Sequence, residues 1–540
     1  MNWRGAGDGK VVTQLIAEGS CRANWGRGRM VIIDEFVFLY LVRAAHALLA
    51  FVMQYFCPFL RRCCFGLMLV AGSCRTAVGP VGPVVVGELM TAKLPAVAAV
   101  APALPSVAAL LQAALDARPA GQRAPANSGY RPTAAARAFY APAAVPVWLV
   151  ADSLGGPTQQ VLGLLARAYA YGLQPADYRL PELLALHDSL AAPAPAASRR
   201  PQLARFELYL TEAVLTFMHD LQHGRRHRLP PPAGAAARLR AALADSAWPA
   251  ALLAGQPTNR EYRQLQQALA QWLAQLPGPP DSVVARHRLR FERIALNLER
   301  WRAEPIAEAE YLLVNIPAFE LLVMGHDTVK RRHRVIVGKP TTPTPTLHSR
   351  IKYFTLAPVW NVPYSIASQE MLPRLQDDPS FLAESDLAVY DGRRQRRNPW
   401  RIAWREVTES NFKYTIQQDA GPRNVLGNYV FHFPNPYLVY LHDTPERYLF
   451  AQANRALSHG CIRVERPREL AAWLLRREGN PTPLLPSAQA RQCPPQDVLL
   501  RRPLPIYLRY ATCTAENGRL RFFRDIYGLD QALREALYCR

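Results

Sequence analysis

The hydrophobic period of the chain changes at Tyr311, and that change imposes two kinds of architecture on one polypeptide. Before it, apolar residues recur at helical spacing. Phe206, Leu210, Val214, Phe217, Met218 and Leu221 form one stripe, and Tyr262, Leu265, Leu269, Trp272, Leu273 and Leu276 form another. A third helix is expected over 283–301, and an earlier one over 159–171. After Tyr311 come short β-rich runs with turns between them, at 311–316, 319–324, 333–337, 351–356, 359–362 and 427–433. At 540 residues the chain is too long for one core. A helical body followed by a strand body, α+β overall, is expected.

The chemistry concentrates in residues 437–467, YLVYLHDTPERYLFAQANRALSHGCIRVERP. Residues 437–442 are aromatic and aliphatic, as a strand should be. Ser458-His459-Gly460-Cys461 reads as a tight loop, and Ile462 and Val464 then alternate with Arg463 and Glu465. Pro467 opens a helix with Leu470, Trp473 and Leu474 on one face, and Gly479 closes it. A cysteine thiolate is a strong nucleophile. An imidazole can take its proton and return it to a leaving amine. Gly460 lets backbone approach a substrate, and the amides around it could face an oxyanion. That set points to acyl transfer at an amide or ester. A packed, inert cysteine is the plain alternative. Zinc would have only His442, His459 and Cys461 as ligands, one short of a structural site.

His442-Asp443-Thr444 followed by Ser458-His459-Gly460-Cys461-Ile462-Arg463 resembles the signature of the L,D-transpeptidase (YkuD-type) catalytic domain. Val337-Gly338-Lys339-Pro340 with Thr344-Pro345, and Trp360-Asn361-Val362-Pro363 with Ser365-Ile366-Ala367, agree with it. Asp220-Leu221, His223-Gly224-Arg225 and Asn297-Leu298-Glu299-Arg300-Trp301 resemble the helical scaffold of long family members. The resemblance implies a mainly-β catalytic domain with a capping subdomain, plus an α-helical scaffold domain. It makes Cys461 the nucleophile, His442 its base, His459 a neighbouring site residue and Gly460 a geometric requirement. Arg463, Trp360, Asn361, Tyr440 and Ser458 are expected at the substrate. The partner is the peptidoglycan stem peptide, with no metal and no organic cofactor. The family reaction forms a 3–3 cross-link with release of D-alanine; hydrolysis to a tripeptide, or wall binding without catalysis, are the alternatives. The small wall-binding module common before the Asn-Leu-Glu-Arg-Trp stretch is missing here. His432 is expected to be a packed histidine.

The remaining text concerns placement. Arg61-Arg62 before a short apolar run and small residues reads as an export signal, and Ala71-Gly72-Ser73-Cys74 resembles a lipoprotein box. Export with membrane attachment is expected, through a signal peptide, a lipidated Cys74 or an N-terminal helix. A net charge of +22 suits an anionic partner such as a carboxylate-rich wall polymer. The basic runs at 223–228, 330–334 and 393–405 carry no nucleic-acid motif, so no nucleic acid is expected and each reads as a solvated face. Four cysteines, Cys461, Cys493, Cys513 and Cys539, lie in the body; a bridge from Cys513 to Cys493 or Cys539 would suit an oxidising compartment. The expected organisation is a leader at 1–78, a Pro/Ala-rich tether at 79–133 with one helix near 107–115, and the scaffold at 134–307. The catalytic domain follows at 308–509 with a capping insertion at about 367–425, polar and helical over 371–387, and a strand–helix segment at 510–540 packs back on the body.

Overall fold

The computed structural model describes residues 104–116, 132–226, 230–479, 484 and 494–538. The leader with Cys74, most of the tether, Cys493 and Cys539 lie outside the described residues. Among the described residues no helix is long and apolar enough to cross a membrane.

The helical body is built on the helix Ala196–His223, most of whose second half is buried. Its end is fixed at Gly224, which has φ 76° and lies against Glu299. A side chain there would meet Glu299 Oε2 at 2.5 Å, so only glycine fits. The helix Val107–Asp116 packs on the same core through Val107, Leu111 and Leu115. This is the one helix expected near 107–115 within the tether: these three residues repeat at four-residue spacing and are buried. Glu207 is also inside. It accepts hydrogen bonds from Tyr140 Oη at 2.8 Å, Val147 N at 2.6 Å and Trp148 N at 3.2 Å. Burial still dominates and holds its carboxyl up at about 7.

The helix expected over 283–301 is two helices, Pro280–Arg286 and Arg288–Ala303, broken at His287. The second buries Phe291, Ile294, Ala295, Leu298 and Trp301 in one cluster with Tyr311, Leu313, Met324, Tyr507 and Cys513. Helical and β bodies therefore share a core rather than meeting at a clean cut near 307. Arg225 is wedged beneath, 2.5 Å from Asp177 and 3.4 Å from Glu299, with Tyr538 Oη at 3.2 Å.

The β body is a nine-stranded sheet. Its order runs Ala456–Ser458, Thr328–Gly338, Ile462–Val464, Leu441–His442, Tyr429–His432, Leu347–Leu356, Gln496–Arg509, Glu310–Asn315 and Glu320–Gly325. Thr328–Gly338 also pairs with Glu320–Gly325, so the sheet closes on itself around Phe354, Phe431, Leu441, Ile462 and Ile506. The basic run at 330–334 lies on this closing strand and is largely paired: Arg331 with Glu469, Arg332 with Glu320, and Arg334 with Glu465.

A separate four-stranded sheet forms the cap: Trp360–Asn361, Thr415–Gln418, Leu387–Tyr390 and Arg396–Arg397. It has its own core, including Leu372, Leu375, Phe381, Leu382, Val389, Trp404 and Ile416. The stretch 371–387, expected to be polar and helical, is helical but broken, and it buries an apolar face. A π-helical turn, Ile366–Met371, leads into Leu372–Asp377, and after Pro379 comes Phe381–Glu384. Beyond the barrel, a hairpin of Cys513–Glu516 and Arg519–Phe522 precedes the helix Leu529–Tyr538, which packs against Arg288–Ala303. Cys513 is a buried free thiol held up at about 12 by that burial.

Candidate active site

The strands Leu441–His442 and Ile462–Val464 run parallel, with Leu441 opposite Ile462 and His442 opposite Arg463. Leu441 and Ile462 point into the barrel core. Side chains alternate along a strand, so Tyr440, His442, Cys461 and Arg463 share the other face. One ladder thereby brings the cysteine, the histidine, a phenol and a guanidinium together.

The strand expected from 437 is shorter, because the chain bends at Leu438, whose φ is 56°. Asn435 holds the bend: its Oδ1 accepts from Tyr437 N and Val439 N, each at 3.1 Å, and its Nδ2 donates to Val439 O at 2.7 Å. Tyr437 and Leu438 are left exposed. Leu438 O lies 4.0 Å from Cys461 Sγ.

The loop before the cysteine is fixed from within. Ser458 Oγ donates to Cys461 O at 2.5 Å and accepts from Gly460 N at 3.2 Å. Gly460 has φ 114°, and its carbonyl accepts from Thr344 Oγ1 at 2.8 Å. Ser458 was expected at the substrate; it is buried, and these two bonds give it a loop-shaping place instead.

Burial raises the Cys461 thiol above its ordinary value, while hydrogen bonds from the backbone and side chain of Tyr440 pull the other way. His442 is buried, and its Nδ1 has no hydrogen-bond partner. Burial first, then the Arg463 guanidinium, push its pKa down to about 3, with the Asp443 backbone opposing. Thiol and imidazole are both neutral at pH 7. Asp443 locks the turn after the histidine: its carboxylate accepts from Asn428 N at 2.9 Å and Thr444 N at 2.8 Å.

The other expected residues separate. Arg463 stays on the site face and pairs with Glu446 at 2.5 Å. His459 Nε2 reaches the cap and sits 2.9 Å from Glu370 Oε1. Trp360 and Asn361 belong to the cap sheet. Trp360 packs on the cap core, and Asn361 Oδ1 accepts from Gln417 Nε2 at 2.5 Å. His432 stacks on Tyr353 with ring centres 4.4 Å apart and bonds Thr355 Oγ1 at 2.9 Å, as a packed histidine would. Sequence reading did not anticipate that Tyr440 bonds the thiol, nor that Glu370 and Asn435 take part. The signal for Tyr440 was available, since it lies two residues before His442 on the same strand face.

The fold is that of a mainly-β body with a cap, sharing a core with a helical scaffold. Residues 309–484 match the family model of the L,D-transpeptidase catalytic domain, YkuD, and residues 134–269 match that of the Scaffold domain. The chain thus carries a YkuD-type L,D-transpeptidase catalytic domain behind a Scaffold domain. A Haemophilus influenzae protein named "Putative L,D-transpeptidase" is 33% identical over 288 residues, covering 53% of this chain and 55% of that relative. The match therefore spans about half of each protein. Among solved structures, the Ldtfm–avibactam carbamoyl enzyme is 13% identical and covers 38% of this chain and 51% of its own, with TM-score 0.19. An L,D-transpeptidase from Mycobacterium smegmatis is 15% identical, covers 37% and 58%, and has TM-score 0.17. Scores that low carry no structural argument.

Proposed function

We propose that this protein is a peptidoglycan L,D-transpeptidase that forms 3–3 cross-links by acyl transfer through Cys461. The observation that carries the reading is the single strand face shared by Cys461, Tyr440, His442 and Arg463. Cys461 Sγ attacks the amide carbonyl between the third residue of a tetrapeptide stem and its terminal D-alanine. Because the resting pair is neutral, the thiol proton moves to His442 as the carbon–sulfur bond forms, and then to the departing D-alanine nitrogen. The Tyr440 hydrogen bonds steady the negative charge on sulfur. A thioester remains, and the side-chain amine of a second stem attacks it, losing a proton and releasing the thiol. Arg463 is suited to a stem carboxylate, although Glu446 must share it. Export to the cell envelope and membrane attachment belong to the same proposal and rest on the sequence of the leader.

The test is to incubate the purified protein with disaccharide-tetrapeptides and weigh the products. Cross-linked dimer with free D-alanine supports transpeptidation. Tripeptide alone makes the protein an L,D-carboxypeptidase. Unchanged substrate, or turnover that survives Cys461→Ala, removes Cys461 from the chemistry.

A further inference from the structure

We propose that the seam between the scaffold, the barrel and the C-terminal helix is a binding site for a small amphiphilic anion, a carboxylate or phosphate monoester bearing a short apolar group. A cavity of about 290 Å³ lies there, close to the lower end of the range for small-molecule sites. Its walls come from three parts of the chain. Arg300 and Glu304 lie at the end of the helix Arg288–Ala303, Arg509 ends the strand Gln496–Arg509, and Leu533 and Ala536 line it from the helix Leu529–Tyr538. Arg226 completes the polar side. None of these residues belongs to the motif loop or to the cap, so the site is independent of acyl transfer at Cys461.

The charges are unbalanced. Three guanidinium groups line the cavity against one carboxylate. Arg300 is already engaged by Asp530 at 2.6 Å. Arg226 is exposed and forms no ion pair with any described residue. Arg509 is the telling member. It is only 6% exposed, its counter-ion Glu304 sits 3.0 Å away on a half-exposed side chain, and its Nε is buried without a hydrogen-bond partner. A buried cation with an unfilled donor is costly, and an anion in the cavity would offset that cost. Burial outweighs Glu304 and lowers the Arg509 pKa, which is the same imbalance seen electrostatically. Leu533 and Ala536, from the C-terminal helix, add an apolar lining that suits a short alkyl or aryl group rather than a bare ion.

The test uses the full chain. Hexanoate and hexyl phosphate are titrated by calorimetry, with hexylammonium as the charge-reversed control and acetate as the head group alone. Saturable binding of at least one hexyl anion is expected, with none for hexylammonium and roughly tenfold weaker binding of acetate. Whichever head group binds more tightly identifies the anion as carboxylate or phosphate. Arg226→Glu should weaken binding by about tenfold or more. Ala536→Trp, made at an exposed position, should fill the cavity and abolish binding. Both variants should release D-alanine at the wild-type rate. No saturable binding of either hexyl anion, or binding that survives both substitutions unchanged, overturns the proposal.

Discussion

His459 and Glu370 meet across the gap between the nucleophile loop and the cap, with Nε2 2.9 Å from Oε1. Both side chains are more than a third exposed, so the pair contributes roughly 0.2–1 kcal/mol. A contact of that size holds the cap over the loop without welding it. The thioester faces water in excess of amine, so a closed cap favours cross-linking over hydrolysis. Glu370→Gln should lower the dimer-to-tripeptide ratio by about two- to fivefold while leaving the D-alanine burst nearly unchanged. An unaltered ratio in both Glu370→Gln and His459→Gln would show that the cap does not gate the acceptor. Excising the insertion is a poorer test, because it removes nearly the whole cap core, Phe381 and Trp404 included, together with Glu370 itself.

The neutral resting state of Cys461 and His442 makes a prediction about pH. Burial raises the thiol, and burial holds the imidazole near 3, so no thiolate–imidazolium pair exists at neutral pH. Iodoacetamide should alkylate Cys461 slowly at pH 6–7 and faster as the pH is raised. Turnover should show no acid limb at the ordinary imidazole value of 6.5, because His442 remains a free base far below it. Rapid alkylation at pH 6, lost on His442→Ala, would mean that the pair is charged at rest.

His442 and His432 separate by role. His442→Ala should lower acylation by about two to four orders of magnitude, the ordinary loss for a proton-transfer group. His432→Ala removes a stacked ring and one hydrogen bond to Thr355. It should act chiefly on stability, by roughly 1–2 kcal/mol. Measuring single-turnover D-alanine release and the urea midpoint for each variant distinguishes the two, and reversed effects would exchange their roles.

Glu207 gives the scaffold a pH-dependent stability. Its folded carboxyl sits at about 7 against an ordinary value of 4.5, so the fold prefers the protonated form. That stability is fully present below about 4.5 and is lost as pH rises through about 7. The difference corresponds to roughly 3 kcal/mol between the two limits. The scaffold should be more resistant to urea at pH 5 than at pH 8, and Glu207→Gln should reduce that difference, leaving the part due to Glu212 and Asp220, whose carboxyls burial also holds up at about 7. A scaffold whose pH dependence is unchanged in Glu207→Gln would place the titration elsewhere.

Much of this was legible in the residues because period and pairing are local. The switch to β runs at Tyr311 and the stripe in Ala196–His223 follow from spacing, whereas the partnership of His442 with Cys461 came from the resemblance of the motif and their shared ladder only from the fold. Other features were hidden for physical reasons. His287 breaks a helix with neither glycine nor proline to announce it. Leu438 takes a left-handed backbone because Asn435, three residues earlier, supplies the turn. Ser458 reads as a site residue beside the nucleophile, yet its hydroxyl is consumed by the loop it shapes. Trp360 and Asn361 sit among barrel strands in sequence, but they pair with a strand of the cap more than fifty residues later, a long-range contact that no local pattern encodes.

The contact between Arg225 and Tyr538 joins residues 313 positions apart. A ribosome adding roughly 5–20 residues per second takes on the order of 15–60 s to make that interval. Throughout it, the pocket around Arg225, Asp177 and Glu299 lacks one wall, and the helix Arg288–Ala303 has no helix Leu529–Tyr538 to cover it. The scaffold is thus translated before the barrel yet completed after it. Its final closure waits on the residues that follow the barrel.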